Sequence, residues 1–362
     1  MVNDAPFTPD WVSPPGATIA TILEERGATP GELAKWIERT TDDVADLLVG
    51  RAEITADMAR RLSRVLGSSE AFWARRESQY RTDLVRMHGE ASKPESIAWL
   101  GEIPVKDLER WGWIKPYADQ SAAVAACLQF FGVPSAGVWR EAFGDALSAA
   151  YRTSPTYKSE PGAVAAWIRQ GEIAASSIEC GPWDPARLRG ELDALRELTR
   201  EKDPDVFLPE LVRHCASCGV AVVVLRAPKL CRASGVVRFL SPSRPMILLS
   251  FRYLADDHFW FTFFHEVGHV LLHGDLCVFL EGDDTLTTAE EAEANGFAAN
   301  TLIPAEFQAE MLRLPVEGRA VMRFARRVGV SPGIVVGQLQ HNGRLRRNQL
   351  NNLKRRFTWD ED

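Results

Sequence analysis

The sequence has few cysteines and no long apolar run, and each shortage excludes a class of protein. Six cysteines are scattered over 362 residues, which does not fit the disulfide framework of a small secreted domain. The longest apolar runs, at residues 246–251 and 259–264, are far shorter than the about 20 residues of a membrane-spanning helix. The N-terminus lacks the basic and apolar segments of a secretion signal. We therefore expect a cytoplasmic protein with no membrane partner.

The sequence also lacks an excess of basic residues. It contains 42 Lys and Arg against 49 Asp and Glu, a formal net charge of −7, which argues against a general polyanion binder. With 46% hydrophobic and 25% charged residues the chain is typical of globular rather than disordered proteins. A chain of this length is too long for one ordinary hydrophobic core, so two or three domains are expected.

The pattern along the chain predicts an α+β fold that is mainly α. The segment 219–225 is a β-branched run typical of a buried strand, and residues 236–240 and 246–250 predict a hairpin around a Ser-Pro-Ser-Arg turn. We expect these strands to form a small antiparallel or mixed sheet. The predicted division is an N-terminal helical bundle at 1–80, a helical middle domain at 81–200, a mixed domain at 201–314 and a basic helical segment at 315–362.

Helix-capping residues mark the start of several N-terminal helices. Thr29 and Glu32 form the pattern of a capping box, with a proline at the first helical position. Thr40 or Thr41 begins the next helix, and Thr55 caps the one after it. Residues 18–80 are therefore predicted to be short amphipathic helices joined by tight turns.

The strongest chemical signal is the segment His265-Glu266-Val267-Gly268-His269. Histidines four residues apart lie on one face of a helix, so both imidazoles can reach one metal ion. Glu266 is rotated by about 100° around the axis, which places it where it can act on a metal-activated water. A catalytic zinc site needs a third protein ligand and an open position.

The third ligand is predicted on the acidic segment that follows. Glu291 and Asn295 are four residues apart, so Glu291 can ligate while Asn295 accepts a hydrogen bond from the second nitrogen of a ligand histidine. Glu290 has a competing structural role, since it can form a capping box with Thr287. Glu290 and Glu293 remain the alternative ligands.

These residues also have interpretations that involve no metal site. HExxH fixes only three positions and occurs by chance, although three of the seven histidines lie within 265–273 and apolar residues flank them. His273 lies on nearly the same face as His269. It is more typical of a histidine that supports a metal ligand, or that packs in the core, than of a ligand itself. Cys215 and Cys218 form a single CxxC pair, which is a weak metal signal and favours core thiols.

The segments 264–273 and 291–304 together resemble the ImmA/IrrE family of metallopeptidases, and the resemblance covers about residues 205–340. It implies a small sheet against the active-site helix, a zinc ion and endopeptidase activity on repressors of the helix-turn-helix class, which de-represses genes for stress response or element transfer. By motif position His265, His269 and Glu291 correspond to ligands and Glu266 to the general base. Residues 234–235 and the hairpin after them match the strand before the helix, whose edge is expected to pair with an extended peptide.

Residues 17–76 separately resemble helix-turn-helix antitoxins of the XRE/HigA type. The presumed recognition helix departs from that family, since it carries Asp42, Asp43 and Asp46, which repel phosphates. Residues 18–70 contain ten acidic and seven basic residues, a net charge of −3. The resemblance predicts the fold, while DNA binding by this part is doubtful.

The C-terminal segment has the opposite charge. Residues 315–358 contain ten basic residues and one acid, Glu317. One interpretation is a basic face that packs on an acidic part of the same chain; the other is a nucleic-acid contact. The candidate contacts are Arg344, Arg346, Arg347, Lys354, Arg355 and Arg356.

Two functions of different classes follow. The first is a zinc metallo-endopeptidase, a hydrolase, that cleaves a regulatory protein by Glu-assisted attack of water. The alternative is a DNA-binding transcriptional regulator or antitoxin whose peptidase domain is a sensor or a relic. The donor that stabilises the transition state stays open among Tyr253, His258, Arg238 and His273, and so do the substrate and the oligomeric state.

Overall fold

The computed structural model describes residues 13–144, 160–274, 279–280 and 289–358. These residues are mainly helical and contain one small mixed sheet, as the sequence predicts. Their contacts divide them into two compact units. The first contains residues 13–144, 160–179 and 228–231, and the second contains residues 180–227, 232–274, 279–280 and 289–358.

The first unit is helical. Its helices are α1 (Pro15–Glu25), α2 (Pro30–Trp36), α3 (Thr41–Leu48), α4 (Ala56–Leu66), α5 (Glu70–Ala91), α6 (Pro94–Trp99), α7 (Val105–Arg110), α8 (Gln120–Phe131), α9 (Ala136–Trp139) and α10 (Pro161–Ser176). A short 3₁₀ turn (Leu100–Glu102) follows α6, and a π-helical turn (Arg140–Gly144) follows α9.

The predicted caps of the first helices are present. Thr29 and Glu32 form a reciprocal capping box at the start of α2, and Thr40 forms a second one with Asp43 at the start of α3. Thr55 accepts a hydrogen bond from the backbone of α4. Helices α1 to α4 enclose a common apolar core that Trp73 of α5 completes. The relation of this bundle to helix-turn-helix proteins stays a prediction.

The second unit combines helices with the sheet. Its helices are α11 (Pro185–Glu197), α12 (Pro204–Ser217), α13 (Asp256–Leu272), α14 (Ala289–Leu302), α15 (Ala305–Met311), α16 (Gly318–Val328) and α17 (Pro332–His341), and its 3₁₀ turns are Leu198–Arg200 and Asn351–Leu353. Its strands are β1 (Ala221–Val224), β2 (Gly235–Ser241), β3 (Arg244–Leu249) and β4 (Phe279–Leu280).

The sheet has the strand order β1-β3-β2-β4. The predicted hairpin is confirmed, since β2 and β3 pair antiparallel with Val237 opposite Ile247. Strand β1 joins β3 in parallel, which makes the sheet mixed. Strand β4 pairs with Val236 and Val237 on the other side of β2. The expectation that β2 offers a free edge to a peptide is therefore wrong for these two residues.

The core of the second unit lies around α13 and includes residues from the sheet, from α12 and from the C-terminal helices. Phe357 is buried with its ring centroid 5.0 Å from that of Phe251 and 5.7 Å from that of Phe207. The segment after residue 315 therefore shares this core. Whether the four predicted regions are separate domains stays a prediction.

No single described helix is both long and apolar enough to cross a membrane, although α8 and the helical segment Ala136–Phe143, bent by 42°, pass that test as a pair.

Candidate metal centre

Helix α13 carries the HExxH segment through the core. Its residues are almost all buried, among them the aromatic Trp260, Phe263 and Phe264. Helix α14 packs against it at a glycine: a β-carbon built at Gly268 would lie 3.2 Å from the α-carbon of Ala294. Small residues at this crossing allow the backbones to approach closely enough for side chains of both helices to meet.

Three predicted ligands converge where the two helices meet. His265 and His269 are 1% and 0% exposed, and their Nε2 atoms are 2.9 Å apart. Glu291 of α14 brings Oε2 to 3.3 Å from His265 Nε2 and Oε1 to 3.5 Å from His269 Nε2. Within the described residues this is the group of histidine and carboxylate side chains that could hold a metal ion.

The chemistry of these donors fits a small cation. In a tetrahedral zinc site with bonds of about 2.0–2.2 Å, ligand atoms are separated by roughly 3.3 Å, close to the spacing observed here. Two buried imidazole nitrogens and a carboxylate oxygen that face each other at such distances can share a positive charge between them. Two nitrogens and one oxygen are also the donor set of many catalytic zinc sites.

Hydrogen bonds on the far side of both rings set the correct tautomers. His265 Nδ1 lies 3.0 Å from Asn295 Oδ1, and His269 Nδ1 lies 3.0 Å from His273 Nδ1. If each Nδ1 carries the proton and donates it there, each Nε2 keeps a lone pair for the ion. His273 then accepts at Nδ1 and donates from Nε2 to Glu293 Oε2, 3.1 Å away.

Protonation also favours a metal site. Burial alone would raise the pKa of Glu291, but His265 and His269, when their Nε2 atoms carry protons, donate to this carboxylate and lower its pKa to about 2; a metal ion would take the place of these protons. Burial lowers the pKa of His269, against the hydrogen bond from Glu291 that raises it. At neutral pH the carboxylate is therefore ionised and this imidazole is neutral, which is the state that binds a cation.

The carboxylate of Glu266 is fully buried and lies against the start of β2. A β-carbon built at Gly235 would collide with Glu266 Oε1 and would lie 2.7 Å from Thr262 Cγ2. Only glycine therefore fits where the strand crosses the helix at this carboxylate. In the sequence Gly235 is recognisable only as part of a strand, because its close approach to Glu266 exists only in the folded protein.

The alternatives for the third ligand are placed elsewhere. Glu290 is exposed on α14, and Glu293 bonds to His273 as described. Thr287, the predicted capping partner of Glu290, lies outside the described residues. The pairing of His273 with Glu293 was not anticipated, although the spacing of His269 and His273 placed the two rings on one face.

The candidate donors for the transition state lie in two places. Tyr253 and His258 line a recess beside α13, with ring centroids 4.4 Å apart. Arg238 lies on β2 opposite Met246, and His273 is engaged with His269. The geometry of the described residues does not single out one of them.

The cysteine pair is part of the core. Cys215 and Cys218 are both 0% exposed, and burial raises the pKa of Cys215 well above its ordinary value. A protonated buried thiol is a poor metal ligand and a poor nucleophile. This agrees with the interpretation as core thiols.

Two of the candidate nucleic-acid contacts are used inside the protein. Lys354 is 9% exposed and forms an ion pair of 2.6 Å with the buried Asp257. Arg355 donates to the carbonyls of Thr199 and Glu201, at 2.9 and 2.6 Å. These bonds give the two side chains structural roles, and their contact with nucleic acid stays a prediction. Arg344, Arg346, Arg347 and Arg356 are exposed, and their contact with nucleic acid stays a prediction.

The two histidines and Glu291, on helices that pack together, form a site that could hold a metal ion. Residues 220–339 match the model of the family described as the IrrE N-terminal-like domain, Peptidase_M78, which supports the ImmA/IrrE resemblance over this part of the chain. The match leaves out residues 1–219 and so all the helices of the first unit. The comparison with curated proteins gave no match.

Proposed function

We propose that the protein is a zinc-dependent endopeptidase that cleaves a regulatory protein, such as a helix-turn-helix repressor. The observation that carries this proposal is the convergence of His265, His269 and Glu291 one residue away from a buried glutamate. A purely structural metal site needs no such glutamate. The match to a peptidase family over residues 220–339 supports the same reaction class.

The chain supplies three ligands and one base. His265, His269 and Glu291 would hold the ion, while Asn295 and His273 fix the two imidazole rings by the bonds at 3.0 Å. A bound zinc ion would polarise the scissile carbonyl and lower the pKa of water. Glu266 takes a proton from the attacking water and transfers it to the leaving amine.

The alternative, a DNA-binding regulator, gains no support from the first unit. Of the three aspartates of α3, Asp43 bonds to Thr40 and Asp46 forms an ion pair of 2.7 Å with Arg51. These bonds give the aspartates structural roles, but they leave an acidic helix surface that disfavours a phosphate backbone. We therefore propose that this unit contacts a protein rather than DNA.

The test compares the full chain with Glu266→Gln, an almost isosteric change at a residue that is not a ligand. Zinc content and circular dichroism should stay the same, while hydrolysis should fall by about 10²–10⁴-fold because the base is lost. Cleaved bonds are identified by mass spectrometry of lysate proteins. The matched control is Glu290→Gln, at an exposed glutamate of α14, which should keep full activity.

Similar cleavage by wild type and Glu266→Gln would show that the activity comes from elsewhere and would end the peptidase proposal. Specific, tight DNA binding by the full chain, together with no cleavage, would instead favour the regulator.

A further inference from the structure

Helix α16 has one face in the core and a row of arginines on the opposite face. Its buried residues share the core face and are Val321, Phe324, Ala325 and Val328. Arg319, Arg323 and Arg326 are exposed. With about 100° of rotation per residue, these three lie within about 60° of one another around the helix axis and opposite the buried side chains. We call them the arginine row.

The charge of the arginine row is not compensated within the described residues. None of its three guanidinium groups forms an ion pair there, whereas Arg327 of the same helix pairs with Glu310. Residues 315–358 contain ten basic residues and one acid. That acid, Glu317, lies at the N-cap of α16, before the row begins. The row therefore offers its positive charge to a partner.

A second group of exposed arginines lies on the loop that follows α17. Its members are Arg344, Arg346 and Arg347. Gln340 fixes this loop, because its Nε2 donates to the carbonyl of Gln349 at 3.0 Å and to Asn351 Oδ1 at 2.9 Å. The chain then reaches Leu353, whose Cδ1 lies 3.7 Å from a β-carbon built at Gly318, the first residue of α16. The loop therefore leads to the end of α16 where the row begins.

The chemistry of both groups suits phosphate. All six side chains are arginines, and a guanidinium group can donate two parallel hydrogen bonds to one phosphate. From Arg319 to Arg326 the helix rises by about 10 Å. Duplex DNA carries about six phosphate charges over that length of its axis. A regular polyanion can therefore contact all three arginines of the row at once.

Two other kinds of partner fit this surface less well. Protein interfaces usually have an apolar or aromatic centre, whereas the centre of the row is charged and the exposed Met322 lies on one flank. Single-stranded nucleic acids usually stack their bases on aromatic rings. The Phe, Tyr and Trp residues of 315–358 are Phe324 and Phe357, and both are buried. Binding to the backbone of a duplex needs neither feature.

We propose that the arginine row, together with the arginines of the loop after α17, binds the phosphate backbone of duplex DNA without reading its sequence. This interaction goes beyond the proposed endopeptidase function and does not depend on it. The net charge of −7 opposes it, so the affinity is modest. We expect a Kd of about 10⁻⁴–10⁻⁶ M at physiological salt, as is typical of non-specific binding.

The test measures binding of the full chain to fluorescent duplexes of about 20 base pairs by anisotropy, over a range of salt concentrations. Two duplexes of unrelated sequence should bind equally well. Changing Arg319, Arg323 and Arg326 to Gln together removes three phosphate contacts. The slope of log K against log salt should then become shallower by about 3, and the Kd should rise more than tenfold.

Two further triple variants serve as controls. Changing the exposed Arg60, Arg187 and Arg200 to Gln removes the same total charge elsewhere and should leave the slope unchanged. Changing the three residues of the row to Lys keeps their charge and should keep most of the slope. Circular dichroism establishes that each variant is folded.

Each outcome supports or overturns the proposal. Equal slopes for the two Gln variants would show that only the net charge of the chain matters, and would overturn it. Absence of binding at low salt, or a strong preference for one duplex, would do the same. Poly-glutamate that competes as well as duplex DNA, charge for charge, would assign the row to an acidic protein instead. The measurement needs no hydrolysis, so its failure and the failure of the peptidase proposal are independent.

Discussion

Helix α13 carries a buried polar cluster at each end, and the two differ in what satisfies them. At its start, Asp256 accepts from Ser331 Oγ at 2.7 Å and from the Arg355 amide at 3.0 Å. Asp257 pairs with Lys354, whose Nζ also donates to Gln340 at 2.8 Å. The protein itself supplies the opposite charge and most of the hydrogen bonds for this cluster, in which Asp257 Oδ1 lacks a partner among the described residues.

The other cluster is arranged differently. The two Nε2 atoms of His265 and His269 and the carboxylate of Glu291 face one another, while Asn295 and His273 occupy the outer nitrogens. The chain orients these three groups towards one point, where a metal ion could lie. Buried polar groups that the protein satisfies stabilise a fold, whereas groups aimed at a common point indicate a ligand.

The largest expected effect is loss of the metal. Glu291→Ala removes one of three protein ligands, so zinc bound per chain should fall from near one to near zero in metal analysis after dialysis. Glu290→Ala is the matched control, one residue away and exposed. A Glu291→Ala protein that keeps its zinc, while Glu290→Ala or Glu293→Ala loses it, would refute the choice of ligand.

The second effect concerns the opposite end of the helix. Lys354→Met leaves Asp257 buried without its counter-charge, which should lower the free energy of unfolding by about 3–5 kcal/mol. Denaturant unfolding of the metal-free protein measures it. Adding Asp257→Leu to Lys354→Met should recover most of the loss, since no uncompensated charge remains. A small loss in the single variant would mean that Asp257 is solvated or protonated.

A weaker effect on zinc binding is expected at His273, which orients the ligand His269. His273→Ala removes the group that holds His269 Nδ1 and should weaken zinc binding by about 10–100-fold, as is usual for a residue that orients a ligand. Competition with a zinc indicator dye measures the affinity. His273→Asn, which can still offer an oxygen to His269, should recover part of it. Equal zinc affinity in wild type and both variants would show that His273 contributes only packing.

The smallest effect is expected at the crossing of β2 and α13. Gly235→Ala forces the carboxylate of Glu266 to move, so hydrolysis should fall about tenfold or more while zinc content stays the same. Gly296→Ala, on α14, has no heavy atom within 4 Å of the added β-carbon and should behave as wild type. Full activity in Gly235→Ala would show that the position of Glu266 is not critical.

Local signals predicted much of the fold. The capping box at Thr29, the helix start at Thr40, the hairpin of β2 and β3 and the helical HExxH segment depend on residues close in sequence, so their patterns are visible in the chain. Glu291 was anticipated as a partner of the two histidines because both motifs have helical spacing.

Long-range contacts could not be anticipated in the same way. Lys354 is paired with Asp257 across almost a hundred residues, and in the sequence it looks like any other cation of a basic tail. Strand β4 is too short to give a period of its own, so its pairing with Val236 and Val237 was missed. The recess that Tyr253 and His258 line combines residues next to strand ends, a loop and the first turns of α13, none of which carries a recognisable motif.

The bond from the Arg355 amide to Asp256 spans 99 positions, and this has a consequence for synthesis on the ribosome. At about 5–20 residues per second, some 5–20 s pass between translation of the two ends of that bond. During that interval the HExxH helix exists without the bond that completes its first turn. A newly made chain would therefore complete the start of this helix only after residue 355 has left the ribosome.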